Sequence, residues 1–287
     1  MYLASGWKDY AILDAGNGDK FERWAGVTLL RPDPQAVWTM DARVFERADA
    51  VYHRSASGGG HWEYKRTLPE QWTVAYRDLR FIVRPTGFKH TGLFPEQAVN
   101  WDWMRERIEA FSKRTGRRAR VLNLFAYTGG ATCACAKAGA EVVHVDAAKG
   151  MVAWAKDNAA ASGLSDAPIR YLVDDCVKFV KREIRRGNRY DGILMDPPSY
   201  GRGPTGEMWK IEDNLYPLVE LCASLLGDDP CFFLINSYTT GLAPTVLSNV
   251  LKLAIPFGHA EADEIGLPIA RGDLVLPCGA SGRWTNP

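Results

Sequence analysis

Residues 121–130 read Val121-Leu122-Asn123-Leu124-Phe125-Ala126-Tyr127-Thr128-Gly129-Gly130. A short apolar run, Val121–Phe125, gives way to small residues that open a helical stretch, Ala131–Ala138, stopped at Gly139. That is a strand, a tight turn and a helix, and the pattern recurs downstream. Glu141–Val145, Ile169–Val173, Ile193–Met195 and Cys231–Ile235 read as strands. Gly150–Ala161, Cys176–Arg186 and Leu215–Leu226 read as helices closed by Gly163, Gly187 and Gly227. Strands alternating with helices predict a mostly parallel sheet covered by helices, an α/β, Rossmann-like, doubly wound fold.

Upstream of this stretch, Trp101, Met104, Ile108 and Phe111 recur at helical spacing behind Pro95, which suits a first helical turn. The chain before that reads differently. Trp24–Leu30, Trp72–Tyr76 and Leu79–Val83 are short β-type runs bounded by Gly, Pro and Asp. We therefore expect a small N-terminal β-rich domain over 1–92 and the α/β domain over 93–287. Trp24, Trp38, Tyr52, Trp62, Tyr64, Trp72 and Tyr76 read as the core of the smaller domain; stacking on bases is the alternative use of such rings.

Composition narrows the class. Of 287 residues, 46% are apolar and 24% charged, which excludes a wholly disordered chain. No apolar run approaches the ~18 residues of a membrane span. Residues 1–20 carry Lys8, Asp9, Asp14 and Asp19 and no apolar secretory segment. Six cysteines without paired CxxC motifs read as reduced thiols of a cytoplasmic protein, and no metal site is expected. The net charge of +1 hides an excess over 100–200, where 17 basic face 12 acidic residues. Two clusters produce it, Lys113-Arg114-Arg117-Arg118-Arg120 and Lys178-Lys181-Arg182-Arg185-Arg186-Arg189. Solvated helix ends explain such clusters, and a polyanion partner is the other reading.

In an open α/β sheet the ligand sits beyond the carboxyl ends of the strands. After the first strand come Ala126 to Gly130, small residues opening a helix whose N–H groups are free to meet a ligand. After the second comes Asp146, sixteen residues past Gly130, a carboxylate able to accept both hydroxyls of a ribose. After the third come Asp174 and Asp175; a carboxylate there can accept from an exocyclic amine, and a helix cap is the alternative use of Asp174. After the fourth comes Asp196-Pro197-Pro198-Ser199. Two prolines after an acid fix an extended backbone without N–H groups. The carboxylate and neighbouring carbonyls, all acceptors, would then converge on one point, which suits a planar N–H₂ group.

LNLFAYTGG, HVDAAKG, VDD, MDPPSY and LVLPCGASGRW together resemble the bacterial class I S-adenosylmethionine (SAM)-dependent methyltransferases. Within these the chain is most similar to enzymes that modify large-subunit ribosomal RNA, over roughly residues 85–287. The resemblance implies SAM as cofactor and RNA processing by base methylation, in the cytoplasm. It implies cofactor contacts from Asn123, Phe125, Ala126, Tyr127, Thr128, Gly129 and Gly130, a ribose acid at Asp146, and an adenine-side acid at Asp175 or Asp174. It implies a catalytic loop of Asp196, Pro197, Pro198 and Ser199. The segment Lys89 to Gln97, with Phe94, matches a stretch that closes over the cofactor, although Glu96 and Val99 stand where relatives usually carry Asp and Arg.

One departure selects a chemistry. Methylation at pyrimidine C5 needs a thiolate that adds to the ring. Relatives that do this carry the cysteine after the fifth strand, where this chain reads Ile235-Asn236-Ser237-Tyr238-Thr239-Thr240. Cys278 is the only conceivable substitute. We therefore expect direct in-line transfer to a nitrogen of a ribosomal RNA base, with His90 a better candidate than His144 for accepting a proton. Two alternatives are a small-molecule SAM methyltransferase and a nicotinamide-dependent oxidoreductase. The second shares the sheet and Asp146 but leaves Asp196-Pro197-Pro198-Ser199 unexplained. The sequence carries no signal for oligomeric state.

Overall fold

The computed structural model describes residues 1–55, 59–202 and 208–286. The chain divides into two compact units. One comprises Tyr2–Val99 with Ile265–Cys278; the other comprises Asn100–Glu264 with Gly279–Pro287 and Met1. The units part at Val99, and 265–278 belong with the first, where Tyr2 and Leu3 pair in parallel with Ile265 and Gly266.

The first unit holds β1 (Tyr2–Leu3), β2 (Tyr10–Gly16), β3 (Asp19–Trp24), β4 (Val27–Pro32), α1 (Val44–Arg47), β5 (Ala50–Arg54), β6 (Gly60–Tyr64), β7 (Trp72–Tyr76) and β8 (Leu79–Val83). Strands β2 to β6 form one sheet in that order, and β7 and β8 form a separate hairpin. The run 24–30 is two strands, because the chain reverses at Ala25 and Gly26 in a two-residue turn, with Ala25 at φ 54° and Trp24 opposite Val27. Trp24, Tyr52 and Tyr76 are buried core, whereas Tyr64 is exposed.

This unit also buries a charged group. Glu22 is fully buried and accepts hydrogen bonds from Tyr10 Oη (2.6 Å), Arg31 Nε (2.6 Å) and Arg31 Nη2 (2.8 Å). Lys20 Nζ lies 3.2 Å from Asp33 and 3.9 Å from Glu22. Burial alone would raise the Glu22 carboxyl, but the charges of Arg31 and Lys20 and the bonds from Arg31 and Tyr10 outweigh it and hold it at about 2.

Helix α2 (Ala98–Thr115) leads into the second unit after a 3₁₀ turn at Pro95–Gln97. There follow β9 (Arg120–Leu124), α3 (Gly130–Lys137), β10 (Glu141–Asp146), α4 (Lys149–Ala161), β11 (Ile169–Val173), α5 (Cys176–Arg185) and β12 (Gly192–Met195). A hairpin of β13 (Tyr200–Arg202) and β14 (Met208–Lys210) precedes α6 (Ile211–Ala223), β15 (Phe232–Ser237), α7 (Pro244–Ala254), β16 (His259–Pro268) and β17 (Val275–Thr285). The sheet order is β16-β17-β15-β12-β9-β10-β11. From β15 to β11 all neighbours are parallel, and β17 lies antiparallel on β15.

The core is continuous across the sheet. Leu122, Leu124, Ile193, Met195, Phe233 and Ile235 pack with Phe179, Leu218, Leu247 and Leu251. Strand β17 approaches α7 so closely that a Cβ on Gly282 would stand 2.8 Å from Leu247 Cβ. Among the described residues, no helix is long and apolar enough to cross a membrane.

Candidate active site

Sheet order reverses at β9: β10 and β11 lie on one side, β12 and β15 on the other. Such a reversal opens a crevice at the carboxyl ends of the strands. The four segments singled out in the sequence all leave the sheet at this edge.

The first, after β9, is an unusual backbone. Phe125, Tyr127 and Gly129 have φ of 54°, 50° and 80°. For bulky L-residues the left-handed region costs roughly 1–2 kcal/mol each, so the loop must be held. The Phe125 N–H donates to Cys176 Sγ (3.3 Å), the Ala126 N–H to the Val145 carbonyl (3.1 Å) and the Tyr127 N–H to Asp146 Oδ2 (2.8 Å). Asn158 Nδ2 donates to the Thr128 carbonyl (2.8 Å). A Cβ on Gly129 would stand 2.8 Å from Ala155 Cβ, so only glycine lets α4 come this near. Gly130 opens α3.

Asn123 acts within the core. Its amide is buried and donates to Thr132 Oγ1 (2.9 Å), which lies 2.9 Å from His144 Nδ1. Burial pushes the His144 imidazole down to about 4, so it is neutral at pH 7 and serves the packing beneath the loop.

Asp146 ends β10 half-buried. Its Oδ2 accepts from the Tyr127 N–H and its Oδ1 from the Ala148 N–H (2.8 Å). Two backbone donors fix the carboxylate while each oxygen retains a lone pair. After β11 the two acids differ. Asp175 caps α5, its Oδ1 accepting from the Lys178 N–H (2.8 Å), and Asp174 forms an ion pair with Arg182. The helix cap expected of Asp174 is made instead by its neighbour Asp175.

Asp196 leaves β12 half-buried, followed by buried Pro197 and exposed Pro198 and Ser199. The expected convergence of carbonyls needs correction here. The Pro198 carbonyl accepts from Trp209 Nε1 (2.6 Å), and the Ser199 carbonyl accepts from the Ile211 N–H (3.1 Å). These bonds tie the loop to the hairpin and α6. The Ser199 and Thr239 hydroxyls are 2.6 Å apart, and the Trp209 ring lies 5.4 Å from the Phe125 ring. Trp209 and Thr239 were missed by the sequence reading; a tryptophan among polar residues just beyond Asp196-Pro197-Pro198-Ser199 was the available signal.

Near the end of β15, in the stretch that carries no cysteine, stands a buried amide. Asn236 Oδ1 accepts from Ser281 Oγ (2.6 Å) and Asn100 Nδ2 (3.1 Å), and Arg283 donates twice to Asn100 Oδ1 (3.1 and 2.7 Å).

Three candidates belong to the β-rich unit. Phe94 opens the 3₁₀ turn, its ring 5.4 Å from the His90 ring. Burial, reinforced by the charges of Arg31 and Lys89, pushes His90 down to about 4, which makes it a weak base at pH 7. Cys278 Sγ donates to the Leu276 carbonyl (3.4 Å). Burial and the nearby Glu96 raise its thiol well above the ordinary range, the opposite of an activated nucleophile. Among the described residues no group of three or more His, Cys, Asp or Glu is placed to hold a metal ion.

Residues 42–226 match the S-adenosylmethionine-dependent methyltransferase family. The chain belongs to this family. A SAM-dependent methyltransferase from Agrobacterium tumefaciens is 36% identical, with a TM-score of 0.93 over 99% of this chain and 93% of that one. A protein solved in complex with SAH is 18% identical, with a TM-score of 0.75 over 98% of this chain and 76% of its own, a likeness of fold. The protein named ribosomal RNA large subunit methyltransferase K/L in Shewanella baltica strain OS155 is 36% identical over 122 residues, 42% of this chain and 16% of that one. The chain thus spans about a sixth of the length of the curated relatives it matches. SAM, not a nicotinamide, is the cofactor of this methyltransferase. The residues present fit it: a loop that Gly129 brings hard against α4, and a carboxylate aimed by two backbone N–H groups.

Proposed function

We propose that this methyltransferase modifies a nitrogen of a base in ribosomal RNA. In this reading the backbone of 125–130 receives the methionine part of SAM, Asp146 the ribose hydroxyls, and Asp174 or Asp175 the adenine amine. Asp175 already gives one oxygen to its cap and Asp174 is paired with Arg182, which favours Asp175 Oδ2. Bound SAM supplies an activated methyl group. The chain's own task is then to hold the acceptor nitrogen with its lone pair in line, which falls to the Asp196 carboxylate on a loop fixed by Pro197, Pro198 and Trp209. An RNA base would have to leave its stack to reach Asp196. An RNA target of this kind carries with it a cytoplasmic location.

The observation that carries the nitrogen reading is the segment 235–240, where a thiolate for C5 chemistry is expected: it holds no cysteine, and Asn236 within it is engaged with Ser281 and Asn100. Mass-spectrometric nucleoside analysis of ribosomal RNA from a strain lacking the gene tests the proposal. One N-methylated nucleoside should vanish, return with the wild-type gene, and stay absent with Asp196→Ala. Loss of a C5-methylated pyrimidine, or an unchanged profile, would overturn it.

A further inference from the structure

The two cation-rich segments lie some sixty residues apart in sequence, yet the first and the Arg185–Arg189 end of the second meet at one edge of the sheet, the amino edge, opposite Asp146 and Asp196. Strand β9 starts there at Arg120, β12 starts there at Gly192, and α5 ends there at Arg185. A framework of buried acids joins them. Asp191 accepts from Arg117 Nη1 and Nη2 (both 2.7 Å) and from the Arg120 N–H (2.8 Å). The Arg120 guanidinium sits 5.3 Å from the Tyr190 ring, the Tyr190 hydroxyl donates to Glu183 (2.7 Å), and Glu183 pairs with Arg186 (3.3 Å).

The acids do not balance the cations. Asp191 and Glu183 are buried, and Asp229 is paired with Arg114. Glu141, opposite Arg120 in the sheet, is an exposed acid at this edge. Against these, Arg118, Lys181, Arg185 and Arg189 are exposed and form no ion pair among the described residues. Lys181 and Arg185 are four residues apart on α5, so they share a face about 5–6 Å apart. That face runs the length of the helix, about 15 Å, from the Asp175 cap at the carboxyl edge to Arg185 at the amino edge.

We propose that this face, the exposed side of α5 with Arg118 and Arg189, binds the sugar–phosphate backbone of RNA. Guanidinium forks engage phosphate oxygens two at a time, and their planar geometry loses less freedom for each hydrogen bond formed. The surface grips without reading bases, as phosphate contacts do. It rests on the reading of RNA as the acceptor-bearing molecule, but its test reads binding alone. Solvated helix ends, the ordinary explanation of such clusters, would leave RNA binding untouched by their removal.

The test is fluorescence anisotropy with a labelled polyuridine of about 30 nucleotides, titrated from about 50 to about 200 mM KCl. Compared are wild type, the triple variant Arg118→Glu/Arg185→Glu/Arg189→Glu, and Lys252→Glu, an exposed cation on α7. Calorimetric SAM binding checks that each variant is folded. The triple variant should bind polyuridine at least about tenfold more weakly, with the slope of log K against log salt shallower by about 2. Lys252→Glu should stay within about twofold of wild type. Equal loss in both variants, an unchanged triple variant, or wild type that binds anionic vesicles and no RNA would overturn the proposal. A triple variant that loses RNA while ribosomal nucleosides stay normal in the deletion strain would overturn the function proposed above and keep this surface. A lost nucleoside with an unaffected triple variant would do the reverse.

Discussion

Glu22 and Asp146 are both carboxylates held by named donors, one in each unit, and they are held in opposite ways. Glu22 is fully buried, and its partners are two cations and a phenol. Asp146 is half-buried at a strand end, and its partners are two backbone N–H groups. Side-chain cations neutralise a carboxylate, and removing it strands them. Backbone donors orient a carboxylate and leave it able to accept from something else. Full pairing marks a group that serves the fold; orientation without neutralisation marks one available to a ligand.

The comparison is most exposed to failure at Glu22. Glu22→Ala leaves Arg31 buried without its acid, and Lys20 with Asp33 alone, and should cost about 3–5 kcal/mol in urea unfolding. A loss under about 1 kcal/mol would show that solvent or another acid replaces Glu22, and the contrast with Asp146 would collapse.

Acid should separate the groups next. The imidazoles of His90 and His144 both sit at about 4 when folded against 6.5 when not. Their folded pKa values are lowered, so the stability they permit is present above pH 6.5 and declines as the pH falls toward 4. Glu22, at about 2 against 4.5, adds a second decline between those values. Each group contributes about 1.4 kcal/mol per pH unit within its window. His144→Asn should reduce only the upper decline, by about half, and Glu22→Gln only the lower. A single unresolved transition insensitive to both substitutions would contradict these assignments.

The smallest effect belongs to Cys278. Cys278→Ser removes a thiol raised by burial and should cost about 1 kcal/mol or less, leaving turnover intact. Abolished turnover with fold and SAM binding preserved, together with a trapped adduct on 5-fluoropyrimidine RNA, would restore a C5 mechanism.

What could be read from the residues follows from the range of the forces involved. Ile169–Val173, Trp72–Tyr76 and Leu79–Val83 form strands over those same residues, because turn residues bound each apolar run closely. The four strand-end segments were legible because their chemistry is local: small residues, single acids, two prolines. The rest depends on partners far along the chain. Asn100 meets Asn236 and Arg283 across 136 and 183 residues, and no local pattern announces such a match. Strand β17 carries Ser281 and Gly282 at buried positions, so its sequence lacks a strand's usual apolar signal. The hydrogen bond that turns the Pro198 carbonyl to Trp209 likewise depends on a hairpin that no apolar alternation marks.

We propose that two carboxylates at the same edge of one sheet divide the labour, Asp146 holding the cofactor and Asp196 the acceptor. Calorimetric titration of SAM into wild type, Asp146→Ala and Asp196→Ala tests it without any knowledge of the acceptor. Asp146→Ala should weaken SAM by roughly 1.5–3 kcal/mol, the loss of hydrogen bonds to a charged group, while Asp196→Ala stays within about 0.5 kcal/mol of wild type. Equal losses in both variants, or a loss confined to Asp196→Ala, would contradict it.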